Sequence, residues 1–357
     1  MKLQHLIDFN DITTDEYDEL CRLASDIINA PHRYSAACSG RVMATLFYEP
    51  STRTQLSFQT AMLRLGGTVI GFADPNSSSV AKGESLRDTV KIISGYADIG
   101  VIRNPMEGAA FAASLYSGIP FINAGDGRHL HPTQTMTDMF TIKREKGRYE
   151  GLNIGLCGDL KNGRTVHSLL RAFTRYNGNR FFLISTKELR VPDYILNEFS
   201  GSDNEIIMTD NMEEVIDGLD ILYMTRIQRE RFGSEADYRR QSGIYVLTPD
   251  KLKSAKPDLT IMHPLPKVDE IAYEVDDDPR SRYFEQAENG MYIRMALILS
   301  LIEGNPQRRS SRRAYPLPTR RFCSNPICVS NHEHYLPEMT KTVGGELVCA
   351  YCDYKII

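Results

Sequence analysis

Cationic and hydroxyl-bearing residues in this chain recur at one kind of place, just past a short apolar run. VMATLFYEP is followed at once by Ser51, Thr52, Arg53 and Thr54, and Pro50 breaks the run so that Ser51 opens a helix. The first turn of a helix carries free N–H groups and positive partial charge, which suits an anion. Hydroxyls and a guanidinium in that turn would give a phosphate many donors. Ser51 acting only as an N-cap would explain one hydroxyl. It would not explain an arginine whose charge opposes the helix dipole. Later run ends add Arg103 after DIGVI, His131 and Gln134 beyond PFINA, Arg164 beyond NIGLC, Arg226 and Gln228 after DILYM, and the His263–Pro266 turn after LTIMH. A lone arginine is ordinarily a solvated charge, and a lone histidine is more often a structural hydrogen-bonder. Donors at successive run ends, in a chain of net charge −4, point instead to small substrates with several negative charges.

Ligands of open parallel sheets sit beyond the carboxyl ends of the strands, so residues placed this way require such sheets. The runs TVIGF (68–72), DIGVI (98–102), PFINA (120–124), NIGLC (153–157), RFFLI (180–184), DILYM (220–224) and LTIMH (259–263) read as buried parallel strands. Amphipathic stretches at 51–65, 107–117, 133–146 and 165–176 alternate with them, the signature of βαβ units. The pattern predicts two α/β domains joined by a long helix at 133–147, with a final helix at 292–303 stopped by Gly304. A length of 357 residues accommodates two domains and a small appendage. The negative net charge argues against a generally basic nucleic-acid binder. No apolar run approaches the ~18 residues of a membrane span. The start, MKLQHLIDFNDITTDEYDEL, is acidic where a secretory leader would be apolar. A cytoplasmic protein is therefore expected, where clustered cysteines more often hold metal than form disulfides.

Four of the seven cysteines, Cys323, Cys328, Cys349 and Cys352, fall in the last 35 residues. Two close pairs of thiols can build a tetrahedral, all-sulfur zinc site. Unrelated thiols and a redox CxxC pair at CAYC are the alternatives, and CAYC lacks the strand-to-helix junction of a thioredoxin-like unit. His332 and His334 lack the separation of a two-Cys, two-His finger and are left outside the metal shell. Four cysteines with no spare ligand imply a closed structural site. A module of ~35 residues has too little core to fold unaided, so the metal would supply its folding energy. Cys21, Cys38 and Cys157 stand alone and read as inert, partly buried thiols. Between the last helix and the cluster lies NPQRRSSRRAYPLPTRR, with six arginines and three prolines, a tether by composition. A nucleic-acid-binding protein using this tether and the cysteine tail is the rival reading from another class.

FYEPSTRT, SSSVAKGES, RNPMEGAA, INAGDGRHLHPTQTMTD, GRTVHSL, MTRIQRERF and HPLPKVDEI occur in this order. Together they resemble the catalytic chain of aspartate carbamoyltransferase over roughly residues 1–304. The ornithine relatives share STRT and HPTQ but carry HCLP where HPLP stands here, and an SMG motif not found in this chain. Arg226 and Gln228 also suit an acidic amino acid better than a cationic one. One departure is Asn104, where the family usually has histidine after the strand-end arginine. The resemblance implies two doubly wound parallel-sheet α/β domains, the carbamoyltransferase fold. A carbamoyl-phosphate-binding domain would span 1–132, completed by a helix at 288–304, and an aspartate-binding domain 133–287. A linker at 305–320 and a small β-rich, four-cysteine zinc domain at 321–357 would follow.

The implied reaction moves the carbamoyl group of carbamoyl phosphate to the α-amine of L-aspartate, giving N-carbamoyl-L-aspartate and phosphate, in de novo pyrimidine biosynthesis. Carried over by motif, Ser51, Thr52, Arg53 and Thr54 hold the phosphate, and Arg103, His131 and Thr54 donate to the carbonyl oxygen. Gln134 and the backbone at Pro264 and Leu265 hold the carbamoyl amide. Arg164, Arg226 and Gln228 grip the aspartate carboxylates. Ser78 and Lys82 would reach a neighbouring subunit's site, as in the family's trimers with shared sites, and Lys82 would serve both catalysis and aspartate binding. Substrate groups on two domains imply closure, with the glycine-containing segment 226–245 as a candidate flap. No catalytic cofactor is expected, only structural zinc. CSNPIC…CAYC resembles the zinc domain of the family's regulatory chain, without the nucleotide-binding domain that precedes it there. Regulation by CTP or ATP through that domain is accordingly not expected. Two trimers joined through zinc domains remain an open arrangement, as does a carbamoyltransferase acting on another amino acid.

Overall fold

Strand–helix alternation builds two separate parallel sheets. The computed structural model describes residues 3–229, 232–304, 322–343 and 345–356. The tether expected at 305–320 lies outside them, as do residues 230 and 231 of the candidate flap. The chain divides into one unit of Met1–Thr133 with Met291–Ile357, and another of Gln134–Gly290. Among the described residues no helix is long and apolar enough to cross a membrane.

In the first unit, β1 (Val42–Phe47), β2 (Thr68–Phe72), β3 (Ile99–Asn104) and β4 (Phe121–Asp126) form a parallel sheet in the order β2-β1-β3-β4. β1, β3 and β4 are almost wholly buried, which accounts for their near-continuous apolar runs. β2, expected to be buried, is the edge strand and is largely exposed. Helix α1 (Thr14–Asn29) begins at a reciprocal cap in which Glu16 N donates to Thr13 Oγ1 and Thr13 N to Glu16 Oε2. Helices α2 (Thr52–Arg64), α3 (Leu86–Tyr96) and α4 (Ala109–Tyr116) follow β1, β2 and β3.

Helix α5 (Pro132–Lys146) carries the chain across the unit boundary after Thr133. The second unit contains β5 (Asn153–Cys157), α6 (Arg164–Phe173), β6 (Arg180–Ile184), α7 (Asp193–Leu196), β7 (Glu205–Thr209), β8 (Ile221–Met224), α8 (Glu235–Gln241) and β9 (Thr260–Met262). Its parallel sheet runs β7-β6-β5-β8-β9. Strand β7, EIIMT, was not among the predicted runs. It is a partly exposed edge strand with a charged first residue, so its apolar signal is weak. Helix α9 (Tyr283–Glu303) starts nine residues before the predicted 292.

The four cysteines belong to a small module built on a hairpin of β10 (Thr340–Val343) and β11 (Glu346–Cys349), antiparallel, with Thr340 opposite Cys349. The module packs on α4 within the first unit. Ala109, Ala110, Ala112 and Ala113 share one buried core with Cys328, Val329, Leu336, Met339 and Tyr351. This corrects the expectation of an amphipathic helix at 107–117. The helix is apolar all round because the sheet covers one side and the cysteine module the other. Burial of Val329, Leu336 and Met339 contributes about 1.5–3 kcal/mol each. Gly108, at φ +82, is the contact point. A Cβ there would lie 2.6 Å from Tyr351 Cβ. Polar bonds close the seam. Leu86 N and Arg87 N, at the start of α3, donate to Glu333 Oε1 (3.0 Å) and Tyr335 Oη (2.8 Å). The Arg87 guanidinium lies 4.6 Å above the Tyr335 ring.

Candidate active site and cysteine cluster

Each sheet reverses strand order once, between β1 and β3 in the first unit and between β5 and β8 in the second. Such switch points leave a crevice at the carboxyl ends of the strands. In the first unit the crevice is bordered by Ser51–Thr54 after β1 and Arg103 on β3. Ser51 does not cap α2. Its hydroxyl instead pairs with Thr54 Oγ1 at 3.1 Å, and Gln55 N closes the first turn onto Ser51 O. The first-turn N–H groups are therefore not consumed by the cap that the serine could have supplied.

Arg103 is 6% exposed. It donates through Nη2 to Glu49 Oε1 at 2.7 Å and through Nη1 to the Ala124 carbonyl at 3.1 Å. Gly125 is what admits it. At φ +120, a Cβ on this residue would sit 2.5 Å from Arg103 Nη1 and 3.4 Å from His131 Cδ2. Arg103 and the buried His131 thus meet over the same glycine. The register of β3 against β4 shifts at this position, between Ile102 and Asn104. Asn104 accepts from Met106 N through Oδ1 (2.9 Å) and from Gly127 N through its carbonyl (2.9 Å). Asn104 thus fixes the turn beside Arg103 through its acceptors. Ser78 and Lys82 lie on the connection between β2 and α3. Ser78 Oγ bonds locally to Pro75 O, and Lys82 is exposed.

In the second unit, Arg164 opens α6 after β5, and Arg226 and Gln228 follow β8, so all three border the switch point of that sheet. Gln228 Nε2 is 3.4 Å from Asn162 O, in the turn just before Arg164. That turn is held by Asp159, whose Oδ1 accepts from Asn162 N and Nδ2. A Cβ at Gly158 would strike Thr225 O at 2.2 Å, so glycine permits the two strand ends to touch. Gln134 donates to Asp138 Oδ1 at 2.8 Å. Asp138 also accepts from Gln286 (2.7 Å) and Tyr223 (2.9 Å). Gln286 Oε1 takes His263 N (3.0 Å), which ties the His263–Pro266 turn to the same network. Leu265 N donates to His263 Nδ1 at 2.8 Å, so the ring carries its proton on Nε2 and donates to Glu270 Oε1 at 2.6 Å. Burial alone would raise the Glu270 pKa, but this bond and the local backbone donors hold it below the usual carboxylate range.

The cysteine sulfurs are buried and lie within 4.8 Å of one another. Cys323 Sγ is 3.6 Å from Cys352 Sγ, and Cys328 Sγ is 3.8 Å from Cys349 Sγ. A tetrahedron of Zn–S bonds of about 2.3 Å has S···S edges of about 3.8 Å, so the four donors fit that ion. His332 bonds to Pro326 O and stands outside the cluster. Cys21, Cys38 and Cys157 are buried and form no disulfide. Burial pushes Cys38 up to about 11 and Cys157 further still, which makes both poor nucleophiles.

Sequence reasoning singled out none of Glu49, Glu107, His129, Asp138, Asn325 or Asp353. His129 bonds Asp126 Oδ2 through Nδ1 and Asp353 Oδ2 through Nε2, both at 3.1 Å. Burial opposes its charge, yet the two carboxylates outweigh it and raise its pKa. Asp353, which burial would raise, is held down mainly by His129. The apolar-all-round α4 was the available signal that something docks beside these residues.

Comparison with known proteins bears on the two α/β units. Residues 4–144 match the aspartate/ornithine carbamoyltransferase carbamoyl-P binding domain, and residues 150–301 match the Asp/Orn binding domain of the same proteins. The chain is 57% identical over 303 residues to an aspartate carbamoyltransferase catalytic subunit of Clostridium perfringens, covering 85% of this chain and 99% of that one. A Clostridium acetobutylicum catalytic subunit is 56% identical with the same coverage. Among solved structures, the M. jannaschii aspartate transcarbamoylase catalytic subunit superposes with a TM-score of 0.81 at 47% identity, over 85% of this chain and 99% of that chain. Aspartate transcarbamoylase from Trypanosoma cruzi in complex with carbamoyl phosphate and aspartate gives 0.78 at 36% identity, over 84% and 96%. With both domain models matched in order and relatives more than half identical, the chain belongs to the aspartate/ornithine carbamoyltransferase family.

Proposed function

We propose that this chain is an aspartate carbamoyltransferase, moving the carbamoyl group of carbamoyl phosphate to the α-amine of L-aspartate. The observation that carries the reading is the uncapped start of α2, with Arg103 and His131 meeting over Gly125 at the neighbouring strand ends. Ser51, Thr52, Arg53 and Thr54 take the phosphate. Arg103, His131 and Thr54 donate to the carbonyl oxygen, where negative charge grows as the amine attacks and the carbon becomes tetrahedral. Gln134 and the backbone at Pro264 and Leu265 take the carbamoyl amide. Arg164, Arg226 and Gln228 bind the aspartate carboxylates, a task suited to bidentate guanidinium. Collapse of the intermediate breaks the C–O bond to phosphate, and the departing phosphate takes the amine proton. The aspartate amine is itself the nucleophile, so the protein contributes alignment and electrostatic stabilisation. The M. jannaschii and T. cruzi relatives, both aspartate transcarbamoylases, support the choice of aspartate.

Ser78 and Lys82 act in a neighbouring subunit's site within a homotrimer, consistent with their place on the exposed connection after the edge strand β2. Cys323, Cys328, Cys349 and Cys352 hold a structural zinc ion, supported by the spacing and burial of their sulfurs. A colour assay for carbamoyl-aspartate tests the activity, and wild-type protein that makes none overturns it. Arg53→Ala is expected to lower turnover by about 10²–10³-fold, the scale for losing one preorganised donor, with the oligomer intact. Near-wild-type turnover in R53A would overturn the phosphate role.

A further inference from the structure

We propose that the cysteine module braces, within its own chain, the loop that carries His131, and that Asn325 and Asp353 are its positioning residues. The loop runs from Asp126 at the end of β4 to His131 at the start of α5. Asp126 is its hub. Oδ1 accepts from Asn123 Nδ2 (3.1 Å) and Leu130 N (2.9 Å), and Oδ2 from Gly108 N (2.8 Å) and His129 Nδ1 (3.1 Å). The far nitrogen of the same imidazole reaches Asp353 Oδ2 at 3.1 Å. Asp353 follows Cys352, sits at φ +59, donates its N–H to Cys349 O (3.0 Å) and pairs with Lys341 Nζ at 2.5 Å. Its position is therefore set by the turn that presents two of the sulfurs.

A second strut runs parallel to the first. Glu107 accepts from Arg128 N through Oε1 (3.3 Å) and from Asn325 Nδ2 through Oε2 (2.6 Å). Its backbone is stitched to the module in both directions, N–H to Ile327 O and carbonyl from Val329 N, each at 2.9 Å. Asn325 lies between Cys323 and Cys328, and its Nδ2 is 3.5 Å from Cys352 Sγ. Both struts thus end on residues that bond to the cysteine turns, Asn325 to Cys352 Sγ and Asp353 to Cys349 O, and both meet the loop at adjacent positions, Arg128 and His129. The module also caps α3 through Glu333 and Tyr335, immediately after the segment bearing Ser78 and Lys82. It lends no side chain to the candidate donor set. It holds the backbone that delivers His131.

The inference rests on the assigned role of His131, and the test separates the two. N325A, D353N and H129Q are each compared with wild type for metal per chain, turnover per folded chain, and amide exchange across 121–131 by mass spectrometry. Asp353 adjoins Cys352, so H129Q, which breaks the same bridge from the other end, keeps the test independent of metal content. The expected result is faster exchange at 126–131, unchanged exchange in β5 and β6, and turnover about tenfold lower, with metal retained. Stripping the metal with a chelator is expected to speed exchange at the same residues. H129Q and N325A that hold metal and show wild-type exchange at 126–131 overturn the brace. Faster exchange with unchanged turnover overturns its catalytic consequence. Wild-type protein without carbamoyl-aspartate activity refutes the functional reading while the exchange comparison still decides the brace.

Discussion

Gly125→Ala isolates the contact on which the donor pair depends. The substitution places a Cβ at φ +120, a region costing an L-residue about 1–3 kcal/mol. The same Cβ falls 2.5 Å from Arg103 Nη1, against 3.4–4 Å for an ordinary contact. The obstructed atom is the tip of a long side chain, so the guanidinium yields before the sheet does. It must retreat by about 1 Å, which strains its bonds to Ala124 O and Glu49, and a misplacement of that size costs about 10²-fold in rate. G125A is thus expected to lose about 100-fold in turnover and to melt roughly 2–12 °C lower. Gly40 supplies the control. It has φ +75 and a Cβ added there would meet nothing within 4 Å, so G40A costs about 1–2 kcal/mol of backbone strain alone. Turnover is read by the carbamoyl-aspartate assay and stability by calorimetry. If G125A and G40A turn over within threefold of each other, the claim that Gly125 sets the position of Arg103 is refuted.

Two further outcomes follow from named contacts. Ser51→Ala should cost less than about 0.5 kcal/mol of stability, where a true N-cap costs about 1 kcal/mol, because Ser51 makes no cap bond. It should raise the KM for carbamoyl phosphate about tenfold, the worth of a hydrogen bond to a charged group. A stability loss above 1 kcal/mol in chemical denaturation would restore the plain cap reading. His167 is pushed down to about 4 by burial, against a smaller opposite effect of its bond to Leu160 O. The native state therefore binds fewer protons than the unfolded chain between pH 6.5 and 4, and stability falls as the pH drops through that window. The loss is about 2 kcal/mol by pH 5. H167Q, neutral throughout, should flatten that part of the denaturation-midpoint profile, and an unchanged slope would refute the assignment.

Strand type was most legible where a strand is buried on both faces. NIGLC and RFFLI are strands over the predicted residues, and DIGVI, PFINA, DILYM and LTIMH are shifted by one or two residues at their ends. TVIGF keeps its predicted bounds although it lies at a sheet edge, because its β-branched and aromatic residues carry the strand signal without burial. The edge strand β7 was missed because an exposed face weakens the apolar run. The residues bordering the two switch points were legible for a related reason. A strand end followed by a donor is a local pattern, and the parallel sheet guarantees which end of the strand faces the crevice. Helix α4 was misread as amphipathic because periodicity reports one covered face, and the covering of the second face lies more than 200 residues away in the chain.

By itself the sequence determined the chemistry of the donors, the two-sheet architecture and the spacing of the four cysteines as two close pairs, because each is carried by neighbouring residues and short spacings. Tertiary structure alone decided that Ser51 leaves the start of α2 uncapped, that Gly125 makes room for Arg103 beside His131, and that Asn325 and Asp353 are bonded to Glu107 and His129. Those outcomes depend on distances between residues far apart in the chain. Only the closing of β3 on β4 and the packing of α4 against the cysteine module bring them together.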